Sequence, residues 1–369
     1  MVSVLLLSFV TSIAGLQIAN ALTTASSSSS IDVSLLKVTK ARESTITTKK
    51  DAEAEAAKQE EATKAAEATK ATAAVKATEA KAAEVAAAAI PPRIAVKSPA
   101  GRALYNDAAS KAAMPVEIAS QPTAIWLGEW NANVQQYVQA VTVAASAQGT
   151  IPVFITYNIP NRDCGSHSAG GLAKSESYRA WTRAIAAGIG GREAIVIVEP
   201  DALAQIDCLS AADQARRYAD LSDAVNVYST TTGAFVYLDA GHGAWVGADD
   251  MAKRLEKANV GQARGFSLNI SNFQTTQTNR AYGDKLSAKT GKTYVIDTSR
   301  NGQGPRGSEW CNPLGRGLGA KPAIVSNGNL DAYIWAKIPG ESDGECNGGP
   351  SAGTFWAEYA QELIRNARY

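Results

Sequence analysis

The sequence predicts an α/β fold, a parallel β/α barrel, on three observations. Short apolar segments alternate with helical stretches seven times between about Ile94 and the C-terminus. The run Ala194-Ile195-Val196-Ile197-Val198 is apolar throughout, as suits a strand covered on both faces. Polar and acidic residues follow each candidate strand directly, at the end where parallel barrels keep their sites. Seven alternations fit a barrel better than an open doubly wound sheet, and no Gly-x-Gly-x-x-Gly or Walker-type loop follows any strand.

In chain order, residues 1–21 are apolar and end on Ala19-Asn20-Ala21, a small-residue cleavage pattern. The stretch is short and broken by Ser, Thr and Gln, so it reads as a secretory signal rather than a membrane anchor. Residues 22–92 read as a spacer, a serine run followed by a segment built almost wholly of Ala, Lys, Glu and Thr. That segment has high helix propensity and Glu-to-Lys pairs at helical spacing, but no Leu, Ile or Phe stripe to pack. A semi-rigid helix or a disordered linker is expected, in preference to a coiled-coil partner face. Ile90-Pro91-Pro92 ends it, and residues 93–369 form the expected catalytic domain. Its candidate strands are 124–127, 151–157, 194–198, 234–238, 265–270, 293–297 and 331–337. Helices are expected at 135–147, 178–187, 211–227, 249–257, 278–289 and 355–367.

Charge narrows the partners. With 36 Lys and Arg against 35 Asp and Glu, the chain has a formal net charge of +1, which favours a neutral ligand over nucleic acid or an anionic membrane surface. Four cysteines behind a signal sequence favour two disulfides, for which sequence alone leaves three connectivities open. A zinc site is the competing reading, opposed by the lack of a Cys-x-x-Cys pair and by a total of two histidines. No cofactor or metal is expected.

The chemistry collects after the strands. Asp163, Asp201, Asp239, Asp297, Glu341 and Asp343 all fall there, with no Ser/His/Asp set among them. Carboxylates around one cleft suit acid–base work on a neutral substrate, and glycoside hydrolysis is the commonest such reaction. Trp126, Trp245 and Trp310 lie near strand ends, where flat indoles can meet the C–H faces of sugars. Taken singly, each feature has a plainer reading. An Asp after a strand is usually a helix N-cap, and a Trp is usually core. Asp297, Ser299 and Arg300 read as loop ties, and Lys337 with Glu341 or Asp343 as a structural ion pair. His242 reads as a local hydrogen-bonding residue, and the sequon Asn269-Ile270-Ser271 as unmodified.

Six motifs in order make the pattern specific: YNIPNRDC (157–164), VEPDAL (198–203), YLDAGHGAW (237–245), IDTSRNGQGP (296–305), EWCNP (309–313) and KIPGESDG (337–344). From about Ala124 to the C-terminus the chain resembles glycoside hydrolase family 6, cellulases with a distorted seven-stranded parallel β/α barrel. The resemblance implies that Asp201 is the general acid, that Asp163 acts beside it and helps a water chain, and that Asp343 matches the carboxylate often proposed as the base. It implies that Tyr157 crowds the sugar at the cleavage point. Trp126 and Trp310 would stack sugars on the non-reducing side, and Trp245 one on the leaving-group side. His242, Asn272, Lys337 and Glu341 would bond hydroxyls, and Asp239 would support the acid cluster. It also implies the pairings Cys164–Cys208 and Cys311–Cys346. The expected activity is inverting hydrolysis of internal β-1,4-glucosidic bonds in cellulose or related β-glucans, by a secreted monomer. The compact loop after Asp163 and the short stretch between Asp343 and the last helix favour an open groove. A cellobiohydrolase is the alternative, and a non-catalytic glucan-binding cell-wall protein a further one.

Overall fold

The computed structural model describes Gln59 and residues 98–369. The expected signal, the spacer apart from Gln59, and the expected domain start lie outside the described residues. The chain divides into two units, Met1–Ile90 and Pro91–Tyr369, and the second holds the fold described below.

Seven strands run parallel in one curled sheet. They are β2 (Ile125–Leu127), β4 (Val153–Thr156), β5 (Glu193–Val198), β6 (Gly233–Asp239), β7 (Gly265–Leu268), β8 (Thr293–Asp297) and β10 (Leu330–Ile334). The sheet nevertheless has eight strands, not the seven expected. An antiparallel strand, β9 (Ala323–Asn327), closes the order β2-β4-β5-β6-β7-β8-β10-β9. Gly328, at φ +64°, makes the turn from β9 into β10. Asn327-Gly328 is a strong hairpin signal, but β9 itself is largely exposed and lacks the apolar run that marks its neighbours. A second small sheet pairs β1 (Ala103–Leu104) with β3 (Thr150–Ile151). The expected strand 151–157 is therefore split between β3 and β4 at Pro152, which has no N–H to give a ladder.

Helices follow most strands: α1 (Val116–Ala119), α2 (Val134–Ala147), α3 (Ser175–Ile189), α4 (Ala211–Thr231), α5 (Ala248–Lys257), α6 (Thr276–Thr290) and α7 (Ala357–Arg365). Their starts are set locally. Asn133, Ser210 and Thr275 each accept a backbone N–H from the first turn of α2, α4 and α6. No helix among the described residues is long and apolar enough to cross a membrane.

Alternation along the strands sorts two apolar layers. Ile195 and Ile197 of β5 join Ile155, Phe235, Tyr237, Val295 and Ile334 inside the curl. Ala194, Val196 and Val198 face the helices with Tyr178, Leu221 and Tyr228. The strand ending in Glu-Pro-Asp is thus buried on both faces, as its composition requires. Near the strand starts, Asp331 accepts from Arg264 (2.8 and 2.9 Å), Tyr237 (2.7 Å) and Thr293 (2.6 Å), tying β6, β7, β8 and β10 together. At the other margin, the Ala124 N–H donates to the Trp335 carbonyl at 2.8 Å and the Trp126 indole to Ala336 at 2.7 Å. These bonds draw β2 toward the end of β10. The opposite ends of the parallel strands are left to the site.

Candidate active site

The rim after β5 and β6 gathers acid, and among the described residues no cation pairs with Asp201 or Asp239. Backbone conformation does the aiming: Glu199 and Asp201 both have positive φ, +49° and +69°, an uncommon state for side chains of this kind. The chain after Val198 therefore leaves strand geometry, and the two carboxylates part. Glu199 turns into the helix-side layer. Asp201 keeps partial solvent access at the rim.

Asp239, at the end of β6, is fully buried and highly bonded. Its Oδ2 accepts the Asp201 N–H (3.0 Å) and the Gly241 N–H (3.1 Å), and its Oδ1 accepts the Ser267 hydroxyl (3.1 Å). Burial pushes its pKa up to about 6, against the pull of these donors. Asp201 is pushed well above the usual carboxylate range, first by burial of its carboxyl, then by the charges of Asp239 and Asp163. Asp163, also at positive φ, is held by the Gln205 amide (2.8 Å) and the Ser168 N–H (2.7 Å). Cys164 and Cys208 are bonded, joining the loop of Asp163 to the one after Asp201.

Tyr157 roofs this group from β4. Its ring meets Trp126 edge-on at 5.3 Å, with the Arg162 guanidinium 4.7 Å from its centroid. Burial, then Asp201 and Asp163, raise its hydroxyl pKa, so it stays a neutral phenol. Arg162, not among the expected site residues, is a hub. It bonds the carbonyls of Tyr157 (2.7 Å), Ser168 (2.8 Å) and Ala169 (3.3 Å), and pairs with Glu129 at 2.7 Å.

The rim after β8 and β10 is built the opposite way. Asp343 is buried between two cations. Arg300, itself fully buried, pairs with its Oδ2 at 2.7 Å, and the Lys337 ammonium stands 3.7 Å from its Oδ1. The Asn312 N–H adds a bond at 3.0 Å, and Asn312 Oδ1 accepts the Asp343 N–H at 2.7 Å. Burial alone would raise this carboxyl's pKa, but Arg300 and Lys337 hold it below the ordinary range. Lys337 also lies 4.0 Å from Glu341, whose pKa burial raises, and burial lowers that of Lys337. Asp297 accepts the N–H groups of Ser271, Ser299 and Ala336. It is a loop tie, as expected. Arg300 is more than that, because the Asp343 charge depends on it. Cys311 and Cys346 are bonded beside this rim.

Two of the candidate tryptophans are well exposed, Trp245 at 40% and Trp310 at 46%. Trp245 lies beside His242 (5.8 Å between centroids), whose pKa burial lowers to about 4, leaving it neutral. Trp310 meets His167 edge-on at 5.1 Å, so the loop after β4 touches the loop of Cys311. Trp126 is only partly exposed and shared with the inner layer. Asn272 is half-buried in the turn after β7, its N–H bonded to the Asn269 carbonyl. Asn269 is fully buried, with its amide on the Asp297 carbonyl, so the sequon is closed to glycosylation as it stands. Among the described residues no group of three or more His, Cys, Asp or Glu has the arrangement to hold a metal ion.

Known proteins share the sequence pattern and the fold. The profile of glycosyl hydrolases family 6 matches residues 40–367. Endoglucanase A of Cellulomonas fimi is 49% identical over 260 residues, covering 69% of this chain and 56% of its own length. Endoglucanase 1 of Streptomyces halstedii is 42% identical over 263 residues, covering 69% and 81%. The chain thus spans little more than half the length of the first of these relatives. The endoglucanase Cel6 from Mycobacterium tuberculosis, solved with methyl-cellobiosyl-4-deoxy-4-thio-β-D-cellobioside, superposes with a TM-score of 0.70 at 45% identity, covering 72% of this chain and 98% of that one. With the profile running through nearly the whole described region, the chain belongs to glycosyl hydrolase family 6.

Proposed function

We propose that this chain hydrolyses internal β-1,4-glucosidic bonds of cellulose or a related β-glucan by an inverting acid–base mechanism. The observation that carries the reading is the opposite proton affinity of two buried carboxyls, Asp201 raised and Asp343 lowered. Asp201, kept protonated near neutral pH, gives its proton to the departing glycosidic oxygen. Asp343, kept ionised, is the acceptor for the proton of the attacking water, either directly or through a water chain in which Asp163 takes part. Arg300 and Lys337 are the reason Asp343 is ionised at the start of each cycle. Tyr157, neutral and wedged between Trp126 and Arg162, presses on the sugar at the cleavage point. Trp126 and Trp310 stack sugars on one side and Trp245 on the other, while His242, Asn272, Lys337 and Glu341 bond hydroxyls.

The curled sheet, bridged from Ala124 to Trp335, serves as the distorted barrel that aims these groups. We assign the spacer to residues 22–92 and the catalytic domain to 93–369, released as a monomer outside the cell. The two disulfides suit that oxidising setting.

Internal cleavage is favoured by the endoglucanase relatives at 42–49% identity, against 26% for a cellobiohydrolase of Neosartorya fischeri. The contact of His167 with Trp310 brings two loops together as a roofed cleft would, and it keeps chain-end cleavage as the second reading. Viscosity loss compared with reducing-sugar release on a soluble β-1,4-glucan separates them. A steep fall in viscosity per bond cut supports internal cleavage. A shallow fall with disaccharide accumulating supports the alternative, and no release of reducing ends sinks both.

A further inference from the structure

Two buried charged groups take no part in the proposed chemistry, yet both grip the segment that carries it. Glu199, two residues before Asp201, accepts the N–H of Asn158 (2.9 and 3.2 Å) and the N–H of Ile159 (3.1 Å). Arg217, in the middle of α4 and 3% exposed, donates to the carbonyls of Pro160 (2.7 Å) and Asn161 (2.8 Å). Its other amine reaches the carbonyl of Ala202 at 3.3 Å, one residue beyond Asp201.

We infer that Glu199 and Arg217 are positioning residues, a brace that sets the Tyr157–Asp163 segment against Asp201. The inference rests on the hydrolytic reading above. Four consecutive residues, 158 to 161, are held from beneath, the first two through their N–H groups by an anion and the last two through their carbonyls by a cation. The segment needs such a hold. Asn161, Asp163 and Cys164 all lie at positive φ (+56°, +53°, +51°), conformations that persist only where the surroundings dictate them. The Cys164–Cys208 bond secures the exposed side of this loop, and the brace secures its root. Because Arg217 also holds Ala202, both arms of the acid cluster are referred to one guanidinium fork, a task its planar donor set suits and an ammonium does not.

The titratable and charged groups facing Glu199 are Tyr178 from α3 and Arg217 and Tyr228 from α4, with the Thr156 hydroxyl of β4 beside it. Burial pushes the Glu199 carboxyl up to about 7, against the two backbone donors. Both tyrosine hydroxyls are pushed far above their ordinary range by burial, so they stay neutral. The brace is therefore at full strength only above neutral pH.

Two variants and one measurement on the unaltered protein test this. Glu199→Gln keeps the side-chain shape and removes the charge; Arg217→Lys keeps the charge and removes the fork. For each, kcat and KM are measured on a soluble β-1,4-glucan and on an aryl cellobioside whose phenol is acidic enough to leave unprotonated. Rates are corrected for the folded fraction by thermal unfolding. Each variant should lose at least tenfold in kcat on both substrates with KM within threefold, because the Asp163 arm is needed whatever the leaving group. Unchanged kcat in either folded variant overturns the inference, as does a loss confined to the glucan, which would put the effect on the Asp201 proton alone. In the unaltered protein, amide NMR shifts of Asn158 and Ile159 should titrate near pH 7 with the Ser168 amide following. A silent Ser168 overturns the link to Asp163 even if neither variant folds. A native protein inactive on every β-1,4-glucan sinks the proposed function instead, and leaves the brace to be judged on the amide titration.

Discussion

Asp201 and Asp343 are the same residue type, both walled in by protein, and they end with opposite protonation. Burial acts first and in the same direction on both, disfavouring charge. The neighbours then decide. Around Asp201 they are Asp239 and Asp163, so charge is disfavoured a second time. Around Asp343 they are Arg300 and Lys337, close enough to reverse the effect of burial. Proton affinity at this rim is thus assigned by which strand ends face each other, and a site with both affinities can hold an acid and a base at one pH.

The comparison breaks most severely if Asp201 loses its proton. Asp201→Asn should lower kcat on a β-1,4-glucan by about 10²–10⁴-fold, the usual contribution of a positioned acid. The loss should shrink on an aryl cellobioside with an acidic phenol. Equal losses on both substrates would remove Asp201 from the acid role. Next in size is Arg300→Met. Stripping one partner from a buried pair typically costs about 3–5 kcal/mol. Asp343 would keep only Lys337 and hold its proton to higher pH, so the acid limb of the rate profile should move upward and the thermal midpoint should fall. An unmoved acid limb in a folded variant would detach Asp343 from the base role.

Much of this pairing was legible in sequence, and the rest had physical reasons to stay hidden. The strands ending at Val198, Asp239 and Asp297 announce themselves because both faces are buried, and the acids then follow at fixed places after them. Asp201 is found that way, whereas Asp163 and Asp343 lie farther beyond β4 and β10 and are singled out by the motifs around them. Lys337 beside Glu341 and Asp343 is legible because the three lie within seven residues, but a cation distant in sequence is not. Arg300 lies 43 residues from Asp343, and Arg217 sits in a helix whose sequence reads as ordinary. Glu199 misleads for a different reason. Strand alternation sets it inside with Ile195 and Ile197, whereas its positive φ turns it to the helix side. β9 went unseen because half-exposed residues leave no apolar run, although its Asn-Gly turn was in plain view.

A smaller effect sharpens the Asp201 side alone. In Asp239→Asn the side-chain oxygen can still accept from Asp201 and Gly241, but the second negative charge is gone. The Asp201 carboxyl should then release its proton more readily, and the alkaline limb of the rate profile should move down by about one pH unit, the size of a single close charge in a partly screened setting. An alkaline limb that stays in place would mean that burial, not Asp239, keeps Asp201 protonated.

The smallest effect compares the two rims through stability rather than rate. Asp201, Asp239 and Glu199 all have folded pKa values raised above those of an unfolded chain, the last two to about 6 and about 7. The folded state therefore keeps protons that the unfolded state has released, and stability falls as pH rises from the ordinary carboxylate range toward 7. Asp343 works the other way: its folded pKa is lowered, so its contribution is complete above the ordinary range and is lost only as pH falls through it. The two rims together place the stability maximum on the acid side of neutrality. The thermal midpoint should be a few degrees higher at pH 5 than at pH 8, and Asp239→Asn should flatten that slope. A midpoint that climbs from pH 5 to pH 8 would show that the acid cluster is ionised throughout, and the contrast between the two carboxyls would be lost.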